Sequence, residues 1–84
     1  MHYVYLIESI SFPGERYVGL SSDIKAHIAE HNAGKATYTR AFKPWRLVTY
    51  VAFSELPKAK AFELYLKSGS GHAFAKKRLG RANG

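Results

Sequence analysis

Two runs of mostly apolar residues lie near the start of the chain, and a turn separates them. Residues 3–7 and 16–20 are rich in β-branched and aromatic side chains, which fit a pleated, half-buried surface. The segment between them contains Pro13 followed by Gly14, a pair that is typical of turns. The pattern predicts a β-hairpin with a loop of moderate length.

A helical period follows the hairpin. Residues 21–23 offer N-cap candidates, and Ile24 and Ile28 recur about one turn apart until Gly34 ends the pattern. We therefore predict a helix over residues 23–32.

The middle of the chain changes from basic and polar to apolar. Pro44 lacks the backbone N–H that a continuing helix needs, so residues 34–44 should form a loop or contain one short helical turn. Residues 45–53 are almost continuously apolar, as expected for a strand that is covered on both faces. A third strand is predicted there.

The last part of the chain predicts two helices. The first opens within residues 54–57, carries an apolar stripe of Ala59, Phe62 and Leu66, and is stopped by the glycines at positions 69 and 71. The second spans residues 72–79, is basic, and has Phe74 and Leu79 as its inward anchors. Residues 80–84 are expected to be a frayed tail.

This order of elements, β-β-α-β-α-α, predicts a small α/β (α+β) sandwich with a three-stranded sheet flanked by helices. The length of 84 residues suits one domain. No apolar run approaches the roughly 20 residues that a membrane-spanning helix needs, so we expect no membrane partner and take the cytoplasm as the default compartment.

Charge and composition reduce the number of function classes that the chain could belong to. Thirteen Lys and Arg against six Asp and Glu leave a net charge of +7, which attracts polyanions, with nucleic acid first and an anionic membrane second. A protein that is merely basic is the plain alternative. The absence of Cys excludes disulfides and thiolate metal sites. The chain also lacks a Gly-x-Ser-x-Gly elbow and a glycine-rich phosphate loop.

One local pattern on the first predicted helix suggests zinc. His27, Glu30 and His31 fit the His-x-x-Glu-His form of inverted zinc peptidases, with two imidazoles one turn apart. Glu63 is the only tempting third ligand. The chain is short for a peptidase, and polar residues on a solvated helix face explain the pattern equally well, so zinc peptidase is a remote alternative.

A longer set of motifs covers most of the chain. In order, these motifs are Tyr3-Val4-Tyr5, Tyr17-Val18-Gly19, His31-Asn32, the connection from Thr39-Arg40 to Pro44-Trp45, and Glu63 followed by Tyr65-Leu66-Lys67-Ser68-Gly69. Their joint order resembles the GIY-YIG nuclease family, specifically its small single-domain bacterial members. The resemblance extends from about residue 3 to residue 79.

This resemblance implies a chemistry and a set of residues. Tyr5 and Tyr17 would be the tyrosines of the two half-motifs and would aim their hydroxyls into one cleft. His31 maps to a helix position commonly held by His or Tyr, and Glu63 maps to the metal-binding glutamate. The family hydrolyses DNA phosphodiesters with one divalent cation, usually magnesium. Any of Tyr5, Tyr17 and His31 could be the general base.

Each of these residues also has an ordinary structural explanation. Tyr5 and Tyr17 could be cross-strand aromatic neighbours. Glu63, three residues after Lys60 and four before Lys67, could form common helix-surface ion pairs.

The chain departs from the family at two positions. His27 stands where the family has its catalytic arginine, and an imidazole is mostly neutral at pH 7 and cannot form the forked contact of a guanidinium with a phosphate. Tyr3 stands where the first half-motif has its glycine, which is a milder change because a strand tolerates tyrosine well.

Two hypotheses of different classes follow. The first is a metal-dependent endonuclease or nicking enzyme that acts on DNA. The second is a nucleic-acid-binding module that keeps the nuclease fold and has little activity. A lone domain of this family can take its specificity from a protein partner. The candidate phosphate contacts are Arg40, Lys43, Arg46, Lys76, Lys77 and Arg78.

Overall fold

The computed structural model describes residues 1–78 and confirms the predicted α+β class and element order. The elements are β1 (His2–Ser9), β2 (Arg16–Ser21), α1 (Ile24–Asn32), a short 3-10 helix (Thr39–Phe42), β3 (Trp45–Phe53), α2 (Leu56–Lys67) and α3 (Gly69–Arg78). The 3-10 helix is the single short turn expected in the basic connection. The expectations for Leu79 and for the tail at residues 80–84 lie outside the described residues.

The sheet has the order β2-β1-β3, and both pairs of strands are antiparallel. The predicted hairpin is confirmed, with Tyr5 directly opposite Gly19. Among the described residues β3 lies at an edge of the sheet. Leu47 is 38% exposed and Tyr50 is 51% exposed, so the expectation that this strand is covered on both faces was wrong.

Side chains of β1 alternate between two small cores, one on each face of the sheet. Val4 packs against Ala59 and Leu66 of α2, which confirms the apolar stripe predicted for that helix. Tyr5 and Ile7 point to the other face, where Trp45 and the isoleucines of α1 cover them. The central strand therefore connects α1 and α2 through its opposite faces.

The helix ends follow local chemistry. Asp23 caps α1 as predicted, since its side chain accepts a hydrogen bond of 3.1 Å from the backbone N–H of Ala26.

Among the described helices, none combines the length and the hydropathy that crossing a bilayer requires.

The start of α3 differs from the prediction. This helix begins at Gly69 instead of residue 72, so Gly71 lies inside it. A Cβ at Gly71 would lie 1.6 Å from the carbonyl oxygen of Tyr65, so glycine here permits close passage past the end of α2 instead of stopping a helix. Phe74, predicted as an inward anchor, is 37% exposed and contacts the ring of Tyr65.

Candidate active site

A cleft of about 490 Å³ lies beside β2, between α1 and α2. It brings together all five residues that the sequence suggested for catalysis, although they come from four different elements. These residues are Tyr5, Tyr17, His27, His31 and Glu63. Three lysines also line the cleft, namely Lys35, Lys60 and Lys67.

A buried chain of hydrogen bonds connects Tyr5 to the 3-10 helix through His31. The Tyr5 hydroxyl lies 2.9 Å from Nε2 of His31, and Nδ1 of His31 lies 2.7 Å from Oγ1 of Thr39. The carbonyl of Thr39 accepts a 2.8 Å hydrogen bond from the indole N–H of Trp45. Both ring nitrogens of His31 are therefore engaged, and the imidazole has a fixed orientation toward Tyr5.

Sequence reasoning did not identify Thr39 as a site residue. Thr39 is 1% exposed, and it reaches His31 only because the connection folds back over α1. The Thr39-Arg40 pair belonged to the motif string that suggested the family, but nothing in its local pattern indicates a contact with a histidine eight residues earlier.

Gly19 has a steric role that sequence reasoning also missed. A Cβ at this position would lie 2.2 Å from the ring and the hydroxyl of Tyr5. The glycine of the second half-motif therefore leaves room for the Tyr5 side chain to cross β2 and reach His31.

Burial keeps Tyr5 and His31 neutral. Burial, with smaller contributions from Tyr17 and Glu30, raises the pKa of Tyr5 to about 12. Burial and the neighbouring His27 lower the pKa of His31 below its usual 6.5, against a smaller opposing effect of Glu30. With the imidazole proton on Nδ1, His31 donates to Thr39 and its Nε2 accepts from the Tyr5 hydroxyl.

Tyr17 and His27 complete the wall of the cleft around His31. The ring centroid of Tyr17 lies 5.1 Å from that of His31, and the ring of His27 lies 6.2 Å from that of Tyr5. The ammonium of Lys67 lies 5.4 Å from the centroid of the Tyr17 ring. His27 precedes His31 by one helical turn, so both imidazoles face the cleft.

Glu63 is a buried carboxylate between two lysines of the same helix. It is 5% exposed, with Nζ of Lys67 2.8 Å from Oε2 and Nζ of Lys60 3.4 Å from Oε1. Burial alone would raise the pKa of Glu63, but the hydrogen bond of Lys67 and the positive charges of Lys67 and Lys60 outweigh it and lower that pKa below its usual value. The ion pairs proposed as an ordinary explanation exist, but they enclose a buried group and not a solvated one.

The residues of the cleft fit a hard divalent cation. Glu63 is ionised at neutral pH, and its buried Oε1 accepts no hydrogen bond from the described residues. Within residues 1–78 no group of three or more His, Asp or Glu comes together as a possible metal site. A single carboxylate suits Mg²⁺, which keeps most of its water ligands.

The zinc interpretation of the His27, Glu30 and His31 pattern finds no support in this geometry. A zinc site needs three protein ligands in addition to a water. The described residues offer no such group. His31 would also have to give up a buried hydrogen bond to Tyr5 or to Thr39 in order to bind zinc.

None of the candidate phosphate contacts whose side chains the structure describes is among the residues that line the cleft. Arg40 and Lys43 are exposed in and after the 3-10 helix, and Lys77 and Arg78 are exposed on α3. Arg46 donates to the buried carboxylate of Glu8, which balances its charge. The side chain of Lys76 is outside what the structure describes.

Comparisons with known proteins agree with the geometry. The model of the GIY-YIG catalytic domain matches residues 1–78. A UPF0213 protein of Cupriavidus pinatubonensis is 41% identical over 66 residues, which are 77% of this chain and 71% of that protein. A UPF0213 protein of Lacticaseibacillus paracasei is 36% identical over 72 residues, 84% of this chain and 79% of that protein.

A solved structure is also similar. The solution NMR structure of a UPF0213 protein from Bacillus halodurans has a TM-score of 0.54 and 34% sequence identity, and the match covers 90% of this chain and 82% of that one. The names of these relatives state no activity. The match to the GIY-YIG catalytic domain is therefore the comparison that bears on the chemistry of this chain.

Proposed function

The chain belongs to the GIY-YIG family, whose catalytic domain has a nuclease-type fold, and on this basis we propose that it is a metal-dependent endonuclease acting on DNA. One observation carries the proposal. Tyr5 and His31 belong to a buried hydrogen-bond chain that continues to Thr39, and they line the same cleft as the ionised Glu63. A proton-accepting group and a carboxylate for a hard cation are the two elements that phosphodiester hydrolysis requires.

The proposed cation site is Glu63, and the cation is Mg²⁺. When bound, Mg²⁺ stabilises negative charge on a non-bridging oxygen of the phosphate. The lysines of the cleft and the overall charge of +7 hold the DNA backbone against this site.

Tyr5 and His31 move the proton of the attacking water in this proposal. Because the pKa of Tyr5 is about 12, its hydroxyl is protonated at neutral pH and does not act as a preformed tyrosinate. Instead, Tyr5 takes the proton of the water while its own proton passes to Nε2 of His31, 2.9 Å away. Thr39 holds the imidazole in the tautomer that can accept this proton.

Nicking of a supercoiled plasmid tests the proposal. We expect wild-type protein to nick in Mg²⁺ and not in EDTA, and we expect Glu63→Gln to lose the Mg²⁺-dependent activity. Glu55→Gln is the matched control, because Glu55 precedes the same helix and its side chain is 63% exposed. Nicking by Glu63→Gln at the wild-type rate would refute the metal site.

His27 favours the second candidate function, a nucleic-acid-binding module with little activity. Position 27 lines the cleft with an imidazole where the family pattern has arginine. Tight DNA binding without any Mg²⁺-dependent nicking by the wild type, under conditions where His27→Arg does nick, would establish this second function instead.

A further inference from the structure

Lys67 makes two contacts in the cleft that an ordinary surface lysine lacks. Its ammonium lies 2.8 Å from Oε2 of Glu63 and 5.4 Å from the centroid of the Tyr17 ring. The side chain is 44% exposed, and Lys67 and Glu63 both line the cleft. Lys67 thus pairs with the buried carboxylate and remains accessible to a ligand in the cleft.

The two oxygens of Glu63 have different partners. Oε1 is buried from solvent, and Nζ of Lys60 lies 3.4 Å from it. Nζ of Lys67 lies 2.8 Å from Oε2. A cation that binds Oε2 would therefore take the position that the Lys67 ammonium occupies.

Charge repulsion opposes the presence of a divalent cation and the Lys67 ammonium beside Glu63 at the same time. Glu63 already has two ammonium groups within 4 Å, and a divalent cation at Oε2 would add two further positive charges beside them. Like charges a few ångströms apart in this partly buried site repel each other strongly. A flexible lysine side chain relieves this repulsion by rotating away from the carboxylate.

We propose that Lys67 exchanges between Glu63 and the phosphate of the DNA substrate. Without a divalent cation, Lys67 neutralises Glu63. When a cation binds Oε2, Lys67 leaves the carboxylate and its ammonium contacts the phosphodiester instead. The inference rests on the proposed function, since it assigns Glu63 to the cation and the cleft to DNA.

The exchange brings a cationic side chain to the phosphate in a cleft where His27 stands at the position of the family's arginine. A lysine ammonium contacts phosphate as a point charge, without the forked geometry of a guanidinium. The proposal therefore predicts that substitution of Lys67 changes cation binding and DNA cleavage in opposite directions. Binding of a divalent cation to the free protein becomes stronger, while turnover of DNA at saturating cation becomes slower.

Titration with Mn²⁺ in the absence of DNA measures the first effect directly. Electron paramagnetic resonance detects free Mn²⁺ in solutions of wild type, Lys67→Met, Glu63→Gln and Lys58→Met. We expect Lys67→Met to bind Mn²⁺ on the order of tenfold more tightly than wild type. Lys58→Met is the control, because Lys58 lies on the same helix with its side chain 73% exposed and pairs with Glu55 instead.

Single-turnover cleavage at saturating Mn²⁺ measures the second effect. We expect Lys67→Met to cleave about tenfold more slowly than wild type, and Lys58→Met to cleave at the wild-type rate. Lys67→Gln, which keeps a hydrogen-bonding side chain without the charge, should show the same two signs if Lys67→Met does not fold.

The outcomes separate this inference from the proposed function. If Glu63→Gln abolishes Mn²⁺ binding while removal of Lys67 leaves that binding unchanged or weakens it, the exchange is wrong and the metal site stands. If Glu63→Gln binds Mn²⁺ as wild type does, the metal site itself is wrong and the exchange falls with it. Tighter Mn²⁺ binding together with slower cleavage supports the exchange.

Discussion

Two buried carboxylates in this protein each lie beside two cations, and the chain uses them differently. Glu8 is 2% exposed and lies between Arg16 and Arg46 on neighbouring strands. Glu63 is 5% exposed and lies between Lys60 and Lys67 on its own helix. Burial and ion pairing alone do not distinguish a structural carboxylate from a functional one.

The difference lies in how completely each carboxylate is satisfied. Both oxygens of Glu8 accept hydrogen bonds, from Arg46 and from the backbone N–H of Gly14, so Glu8 fixes the turn between β1 and β2 to β3. Glu63 keeps one buried oxygen without a hydrogen bond, and it lines a cleft. Planar guanidinium groups hold the first carboxylate, whereas the ammonium groups of lysines, which have flexible side chains, pair with the second.

Removing one hydroxyl from the cleft that Glu63 lines should have the largest effect. In the proposed mechanism Tyr5 passes a proton to His31, so we expect Tyr5→Phe to slow single-turnover cleavage by about a hundredfold or more. Loss of the buried hydrogen bond should cost only about 1–2 kcal/mol of unfolding free energy. Tyr50→Phe is the matched control, since Tyr50 lies opposite Tyr5 on β3 and is 51% exposed. Equal rates for the two variants would remove Tyr5 from the mechanism.

Substitution of Glu8, the other buried carboxylate, should lower the free energy of unfolding. Glu8→Gln leaves two arginines beside a neutral group, and we expect a loss of about 2 kcal/mol, less than for a fully buried pair because the Arg46 side chain is 41% exposed. Urea unfolding measures it, with Glu55→Gln as the exposed control. A stability equal to wild type would mean that the Glu8 cluster does not hold the strands together.

His27→Arg should change the cleavage rate less than Tyr5→Phe does, and it tests the role of positive charge in the cleft. An arginine is charged at pH 6 and pH 8, whereas an imidazole is mostly neutral at pH 8, so cleavage should rise more at pH 8 than at pH 6. A gain of about tenfold corresponds to roughly 1.4 kcal/mol of barrier. His2→Arg adds the same charge at the start of β1 and controls for net charge. No gain at either pH would show that position 27 does not face the phosphate.

Local patterns in the sequence predict much of this structure. The β-branched and aromatic content of residues 3–7 and 16–20 predicts the hairpin, and the spacing of Ala59, Phe62 and Leu66 predicts the buried stripe of α2. Tyr5, Tyr17 and Glu63 are identified by their order in a family motif. Their meeting in one cleft follows from the strand pairing and from the packing of α2.

Tertiary packing decides the features that the sequence does not reveal. Thr39 contacts His31 only through the path of the connection, and Gly19 matters because the Tyr5 ring crosses it. The apolar run of β3 indicates a strand but not its place at the edge of the sheet. Gly71 looks like a helix stop in sequence, while its role is close packing against the end of α2.

Cleavage rate and unfolding free energy, measured together for Glu63→Gln and Glu8→Gln at a temperature where both are folded, test the central claim most directly. Loss of Mg²⁺-dependent cleavage with near-wild-type stability is expected for Glu63→Gln, and the reverse is expected for Glu8→Gln. Cleavage by Glu63→Gln that matches wild type, or equal losses of cleavage in both variants, would contradict the assignment of the chemistry to Glu63.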